Sequence, residues 1–277
     1  MGLSSLILDD FEEKLILEER STLTVEKYVR DVKAFAEFAG NEEITKESVI
    51  SYKKRLQEKY SVRSVNSMLA SLNCLFSFLE RNELKVKTVK LQKQIYCPEE
   101  KELSRAEYER LCAAARSNKN ERLNLILQTI CATGIRISEL QYITVEAARS
   151  GKAVVDCKAK TRSVFIVRAL QKKLLSYAGK RGISSGMIFV TRTGKPVSRT
   201  NIWREMKNLC EKARVNPKKV FPHNLRRLFA RVFYEMEKDI AKLADVLGHS
   251  SINTTRIYIM TTGIEHRKRM EKMRLII

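Results

Sequence analysis

The residues best suited to chemistry fall in three short segments. Pro222-His223-Asn224-Leu225-Arg226 sets a histidine three residues before an arginine, Leu247-Gly248-His249 sets another nine residues before Tyr258, and Thr133-Gly134-Ile135-Arg136 sets an arginine just past a glycine. On a helix, residues i and i+3 project from one face, so His223 and Arg226 could meet one phosphate together. Guanidinium groups hold phosphate oxygens through paired charge-assisted hydrogen bonds, a geometry lysine lacks. These residue types therefore suit phosphoryl chemistry. Taken singly, each segment reads as readily as a solvated helix face or a satisfied core residue, so the set carries the weight.

The elements that must position them are mostly helices. Only 4 prolines and 10 glycines interrupt the 277 residues, and apolar residues recur at helical spacing, so the fold class expected is mainly α with a small β-sheet. An apolar helix over 123–132 is halted by Gly134, and a new helix is expected near Arg136 with Ile137, Leu140 and Ile143 on one face. Residues 153–157 and 163–167 flank a Lys-Ala-Lys-Thr-Arg tip as a predicted hairpin, and 187–191 could add a third strand. The stripe Ile240, Leu243, Ala244, Leu247 ends at Gly248, and Asn253 can cap a further helix bearing Tyr258.

Upstream, helices are predicted over 6–17, 25–39, 46–60 and 62–81, with Thr24, Thr45 and Ser61 as N-caps and Gly40 as a stop. Residues 82–100 lose the apolar period, carry Lys85, Lys87, Lys90 and Lys93, and end near Cys97-Pro98. Ser104-Arg105-Ala106-Glu107 then reads as a capping box. The expected division is a four-helix N-terminal domain over 1–84, a basic linker over 85–100, and a second domain over 101–277 that closes in a basic amphipathic tail.

The formal charge of +21 is unevenly spread, with a net of −6 over residues 1–50, +5 over 51–100 and +22 over 101–277. Such a basic domain, preceded by a helix bearing Lys53, Lys54, Arg55 and Lys59, suits a polyanion, with nucleic acid first and an anionic membrane surface second. No apolar run approaches the ~18 residues of a membrane span. The apolar patch at 3–8 runs into Asp9 and Asp10 without a preceding basic residue, unlike a signal peptide, so a cytoplasmic location is expected. Six scattered cysteines (Cys74, Cys97, Cys112, Cys131, Cys157, Cys210), with no C-x-x-C pair, read as reduced core thiols rather than a metal site.

Together the segments resemble the signature of the tyrosine recombinase family, also called the λ-type integrases, and above all its short Xer-like members. The resemblance spans nearly the whole chain. Thr133-Gly134-Ile135-Arg136-Ile137-Ser138-Glu139-Leu140 matches the family's Thr-Gly-x-Arg-x-Ser-Glu-Leu segment, His223-Asn224-Leu225-Arg226-Arg227 matches its His-x-Leu-Arg-His motif, and Gly248-His249 followed by Tyr258 matches its glycine, histidine and tyrosine spacing. The family's hairpin lysine falls in Cys157-Lys158-Ala159-Lys160, with Lys158 the better match and Lys160 the alternative. Three departures stand out: Arg227 replaces a histidine, Cys157 and Ala159 replace glycines, and Ile259-Met260 follows the tyrosine.

The resemblance implies a SAM-like core-DNA-binding domain and a mixed α+β catalytic domain that together clamp a duplex. It implies site-specific cutting and rejoining of DNA through a 3′-phosphotyrosyl intermediate, without cofactor, metal or ATP. By the same resemblance Tyr258 is the nucleophile, Arg136 and Arg226 stabilise the charge on the phosphate, and His249 binds a phosphate oxygen. A phenol with a reference pKa of about 10 must lose its proton as it attacks, which gives His223 the part of base. Lys158 would protonate the leaving 5′-oxygen, and Glu139 would orient an arginine.

Further DNA contacts are expected from Lys53, Lys54, Arg55, Lys59, Arg63, Lys85, Lys87, Lys90, Lys160, Arg162 and Arg227. The partner implied is double-stranded DNA with inverted half-sites, bound by a homo-tetramer across two sites. Off DNA the protomers would be monomeric or weakly associated. Accessory proteins are admitted, no membrane is involved and the enzyme is expected with the nucleoid; the tail from His266 reads as a helix packed on its own domain or, as the resemblance implies, as one exchanged between protomers. The alternatives are a catalytically silent DNA-binding regulator of the same fold and a type IB topoisomerase. Presence of all six groups argues against the first, and length and domain order against the second.

Overall fold

The computed structural model describes residues 5–40, 42–90, 102–157, 160–260, 267 and 270–273. The chain divides into two compact units, 1–93 and 94–277.

The first unit holds α1 (Ser5–Leu17), α2 (Thr22–Ala39), α3 (Lys46–Lys59) and α4 (Val62–Phe78), followed by a 3₁₀ turn at Asn82–Leu84. Each helix turns an apolar stripe inward, and Phe11, Leu15, Val32, Phe35, Val49, Leu69, Leu72 and Phe76 are buried in one core. Local signals set several helix ends. Thr45 and Ser48 form a reciprocal cap on α3, Ser61 accepts from Ser64 N, and Gly40 leaves α2 at φ 62°. Two ends differ from the sequence reading by three residues, and two others by one. α2 starts at Thr22 because the Ser21 carbonyl already accepts from Thr24 N and Val25 N. α4 ends three residues early because Glu80 turns to φ 56° and Arg81 N closes back on Phe76 O.

The stretch after α4 stays on this unit. Asn73 bonds both the N–H and the C=O of Val86, and Asn66 does the same for Val89, at 2.8–3.0 Å. Lys46 donates to Glu83 O and Lys85 O, and Lys53 to Lys87 O. Val86 is buried, so the basic stretch expected as linker begins against the N-terminal core.

The second unit holds α5 (Arg105–Ser117), α6 (Glu121–Thr133), a 3₁₀ helix (Ile137–Tyr142), α7 (Val145–Ser150), β1 (Lys152–Cys157), β2 (Lys160–Phe165) and α8 (Arg168–Lys180). It continues with α9 (Arg199–Asn208), α10 (Cys210–Ala213), a 3₁₀ turn at Pro217–Lys219, α11 (Pro222–Glu237), α12 (Ile240–Leu247) and α13 (Ile252–Tyr258). α6 is buried on most of its faces, Asn124, Thr129 and Thr133 included, and packs on α5, α8 and α11. Ser104 and Glu107 form the expected capping box on α5.

The sheet has two antiparallel strands among the described residues. Cys157 pairs with Lys160, so the predicted five-residue tip shrinks to Lys158-Ala159, which lie outside the described residues. The third strand does not form. Residues 187–190 make only isolated bridges: Thr144↔Met187, where the chain opposite enters α7 at Val145, and Val190↔Pro196. Among the described cysteines, Cys112 and Cys210 are buried free thiols, and Cys74 and Cys131 are partly buried free thiols. Cys97 lies outside the described residues. Most of the tail, including His266, lies outside them too.

Candidate active site

A helix stop places the first arginine. Gly134 ends α6 at φ 64°, and a Cβ there would lie 2.5 Å from the Phe229 ring, so glycine is required on both counts. The chain then enters the 3₁₀ helix with Arg136 at its N-cap. Arg136 N donates to Glu139 Oε2 (2.8 Å) and Arg136 Nη1 to Glu139 Oε1 (2.7 Å). Glu139 is 2% exposed and also accepts from Arg162 Nη2 at 2.6 Å. Burial works to raise its pKa, but the Arg136 hydrogen bonds and the Arg162 and Arg136 charges outweigh it and hold the carboxyl below its ordinary value.

Arg226 projects from the second turn of α11 and is 1% exposed. It donates through Nη1 to Gly134 O, and through Nη2 to Leu247 O (2.6 Å) and His249 Nε2 (3.1 Å). Burial, then the charge of Arg136, lowers its pKa to about 10, which leaves it cationic at neutral pH.

Three guanidinium groups share one fastening. The successive carbonyls of Val246, Leu247 and Gly248 accept from Arg162 Nη1 (2.8 Å), Arg226 Nη2 (2.6 Å) and Arg136 Nη2 (3.3 Å). These are carbonyls that a helix leaves unpaired at its C-terminus, where its dipole also favours cations. The end of α12 thus gathers the positive charge that a phosphate would meet.

The histidines follow from this field. A guanidinium only donates, so His249 Nε2 accepts, and its Nδ1–H is assigned to donate to the buried Thr255 Oγ1 at 3.0 Å. Burial, then Arg226, Arg136 and Arg162, pushes the His249 pKa down to about 4, in keeping with that neutral form. His223, largely exposed, lies with Nδ1 3.4 Å from the Tyr258 hydroxyl and its ring edge-on to the tyrosine at 4.9 Å. Partial desolvation and the charges of Arg226, Arg227 and Arg136 lower its pKa, so at pH 7 the ring is neutral and one of its two nitrogens is an acceptor. Tyr258, the last residue of α13, is 5% exposed and packs between the two imidazoles.

Five of the six candidate catalytic residues, Arg136, His223, Arg226, His249 and Tyr258, therefore converge. Lys158 lies outside the described residues, as does the Lys160 side chain. Arg227 donates to Ile257 O at 3.2 Å. On the first unit Lys54, Arg55, Lys59, Arg63, Lys87 and Lys90 are exposed, while Lys53 and Lys85 are half-buried. Arg162 turns inward to Glu139 and Val246 instead of lying on the surface. Among the described residues, no group of three or more His, Cys, Asp or Glu could hold a metal ion, and no helix is long and apolar enough to cross a membrane.

The family model described as "Phage integrase family" matches residues 101–263, and that described as "Phage integrase, N-terminal SAM-like domain" matches 8–83. The chain belongs to the phage integrase family of tyrosine recombinases. It is 30% identical to tyrosine recombinase XerA of Thermococcus kodakarensis over 98% of this chain and 96% of the relative. A crystal structure of XerA recombinase aligns over 98% of this chain and 99% of its own, at 26% identity and a TM-score of 0.55. Lambda integrase shares the fold at 18% identity, as a dimer bound to a COC′ core site (TM-score 0.76, covering 95% of this chain and 97% of that one) and as a tetramer bound to a Holliday junction (TM-score 0.73, covering 91% and 76%).

In this tyrosine recombinase two supporting residues escaped the sequence reading. Thr255, which holds the His249 tautomer, sits three residues before Tyr258 on the same helix face, and that spacing was the available signal. The real cap of α13 is Ser251, which accepts from Asn253 N, and not Asn253 itself.

Proposed function

We propose that this recombinase cuts and rejoins duplex DNA at specific sites by moving a phosphodiester from a DNA 5′-oxygen to Tyr258 and back. The observation that carries the reading is the meeting of the Tyr258 hydroxyl with neutral His223 beside the guanidinium of Arg226, itself 6.0 Å from the tyrosine ring centre. Tyr258 attacks phosphorus while its proton passes to His223. Arg136 and Arg226 exchange carbonyl contacts for the charged non-bridging oxygens of the transition state. The bond to the 5′-oxygen breaks as Lys158 supplies it a proton.

The 3′-phosphotyrosyl bond conserves the energy of the diester, so a 5′-hydroxyl reverses the step without ATP or metal. Burial and then the neighbouring arginine charges keep His249 neutral; the phosphate's negative charge offsets the second of these, which favours protonation of the ring and a hydrogen bond to a phosphate oxygen. Each protomer takes one half-site of an inverted pair, and four assemble across two sites. The tetramer of lambda integrase on a Holliday junction supports that assembly. Off DNA the protomers are monomeric or weakly associated, accessory proteins have a place, and the enzyme works in the cytoplasm with the nucleoid.

A nicked suicide substrate should trap the covalent complex with the native chain and not with Tyr258→Phe; a complex formed by Tyr258→Phe would remove the nucleophile assignment. With a 5′-bridging sulfur, which departs without a proton, Lys158→Ala should regain cleavage while Lys160→Ala should not. Rescue at Lys160 alone would transfer the acid role there, and rescue at neither would take it from both.

A further inference from the structure

We propose that Arg162 is a positioning residue that holds Arg136 and His249 in register for the phosphate, rather than a contact to DNA. This rests on the reading that those two groups bind the scissile phosphate. Arg162 stands opposite Val155 on β2, and strand alternation turns it inward with Val164 and Ile166, leaving its side chain 13% exposed. Its two terminal nitrogens go to separate segments, one to Glu139 (2.6 Å) and the other to Val246 O (2.8 Å).

Both ends lead to a phosphate-binding group. Glu139 fixes Arg136 through its backbone N–H and its Nη1. Val246 lies three residues ahead of His249, and the chain between them rests on the arginine stem. A Cβ on Gly248 would come within 2.4 Å of Arg162 Cδ, so that glycine provides both the left-handed cap of α12 and the room for the arginine.

Removing Arg162 therefore does two things. It leaves the buried Glu139 carboxylate with Arg136 as its ion-pair partner, drawing that guanidinium away from the phosphate, and it unclasps the end of α12. A lysine keeps the charge, but its single ammonium lacks the planar fork that joins both segments.

The test compares Arg162→Lys, Arg162→Met, Glu139→Gln and the double variant Arg162→Met/Glu139→Gln by suicide-substrate cleavage, half-site binding and thermal melting. Both Arg162 variants should slow cleavage by about 100-fold, the scale of a small misplacement of reacting groups. Half-site Kd should stay within about 3-fold, since other basic residues carry backbone binding. The double variant should cleave no more slowly than the slower single, as expected of groups that act through one another.

Restored cleavage with Arg162→Lys, or a salt dependence of binding reduced by about one ion in Arg162→Met, would mark a direct phosphate contact and overturn the proposal. Additive losses in the double variant would overturn it as well. So would loss of cooperative melting in Arg162→Lys, since support of the fold would then be its role. A Tyr258→Phe chain that still forms the covalent complex would instead sink the reading of the site, whatever Arg162 does.

Discussion

In the N-terminal unit the buried side chains are almost all apolar, and the charged exception, Asp31, is tied off within the bundle by Ser71 (2.9 Å) and Lys27 (2.8 Å). Around the end of α12 the buried set includes Arg226, Glu139 and Thr255, and their hydrogen bonds join the turn after α6, the 3₁₀ helix, β2, and helices α11 to α13. Apolar contacts are non-directional, so side chains of similar volume replace one another at little cost. A buried guanidinium has no such substitute, because its loss leaves carbonyls and a carboxylate desolvated and unpaired. The first region can vary in detail and keep its shape, whereas the second has no side chain of similar volume that can stand in for a lost arginine.

The largest effect that would sharpen this contrast is on Arg226. Arg226→Ala should lower cleavage by roughly 1000-fold, on the scale of losing a transition-state hydrogen-bond donor. Half-site binding, measured by gel shift, should be largely kept. Binding lost in step with cleavage would show that Arg226 serves affinity, and the contrast would fail.

Next comes the apolar core, where Leu72 is fully buried on α4. Leu72→Ala should cost about 2–5 kcal/mol in denaturant unfolding, and Leu72→Met less than about 1.5 kcal/mol. If the methionine were as damaging as the alanine, the claim of interchangeable packing would be broken.

The smallest effect is on pH dependence. The unfolded pKa of histidine is about 6.5, and in the folded chain both site histidines are lowered, His249 to about 4. Between those values the unfolded chain binds more protons, so stability should fall as pH drops through that window. Glu139, held below the ordinary carboxylate value, adds its own loss only at lower pH. His249→Gln should flatten the melting curve against pH in that range, and substitutions confined to α1–α4 should not.

Much of the site was legible because glycines and caps are local signals. Gly134 and Gly248 mark left-handed ends, and Glu139 sits at capping distance from Arg136, so the turns that present Arg136 and His249 follow from short segments. What stayed hidden depends on distant pairing. The inward direction of Arg162 follows from Cys157 pairing with Lys160, and a register is set across strands rather than along one. The end of α4 was missed for another reason, since Glu80 takes the left-handed turn usually given to glycine. The segment after Arg136 kept the apolar spacing of a helix, yet it closes as a 3₁₀ helix because Thr144 caps a new helix at Val145.

The two asparagines on α4 have a use beyond holding a strap. Seven helical residues rise roughly 10.5 Å, and three extended residues span roughly 10 Å, so Asn66 and Asn73 meet Val89 and Val86 as a ladder of amides that mimics strand pairing. The family match for this domain stops at residue 83, short of that ladder. A seam cut there, in a chimaera between relatives, would separate the asparagines from the backbone they hydrogen-bond. Placed after Val89, the same seam would keep both asparagines with the backbone they hold.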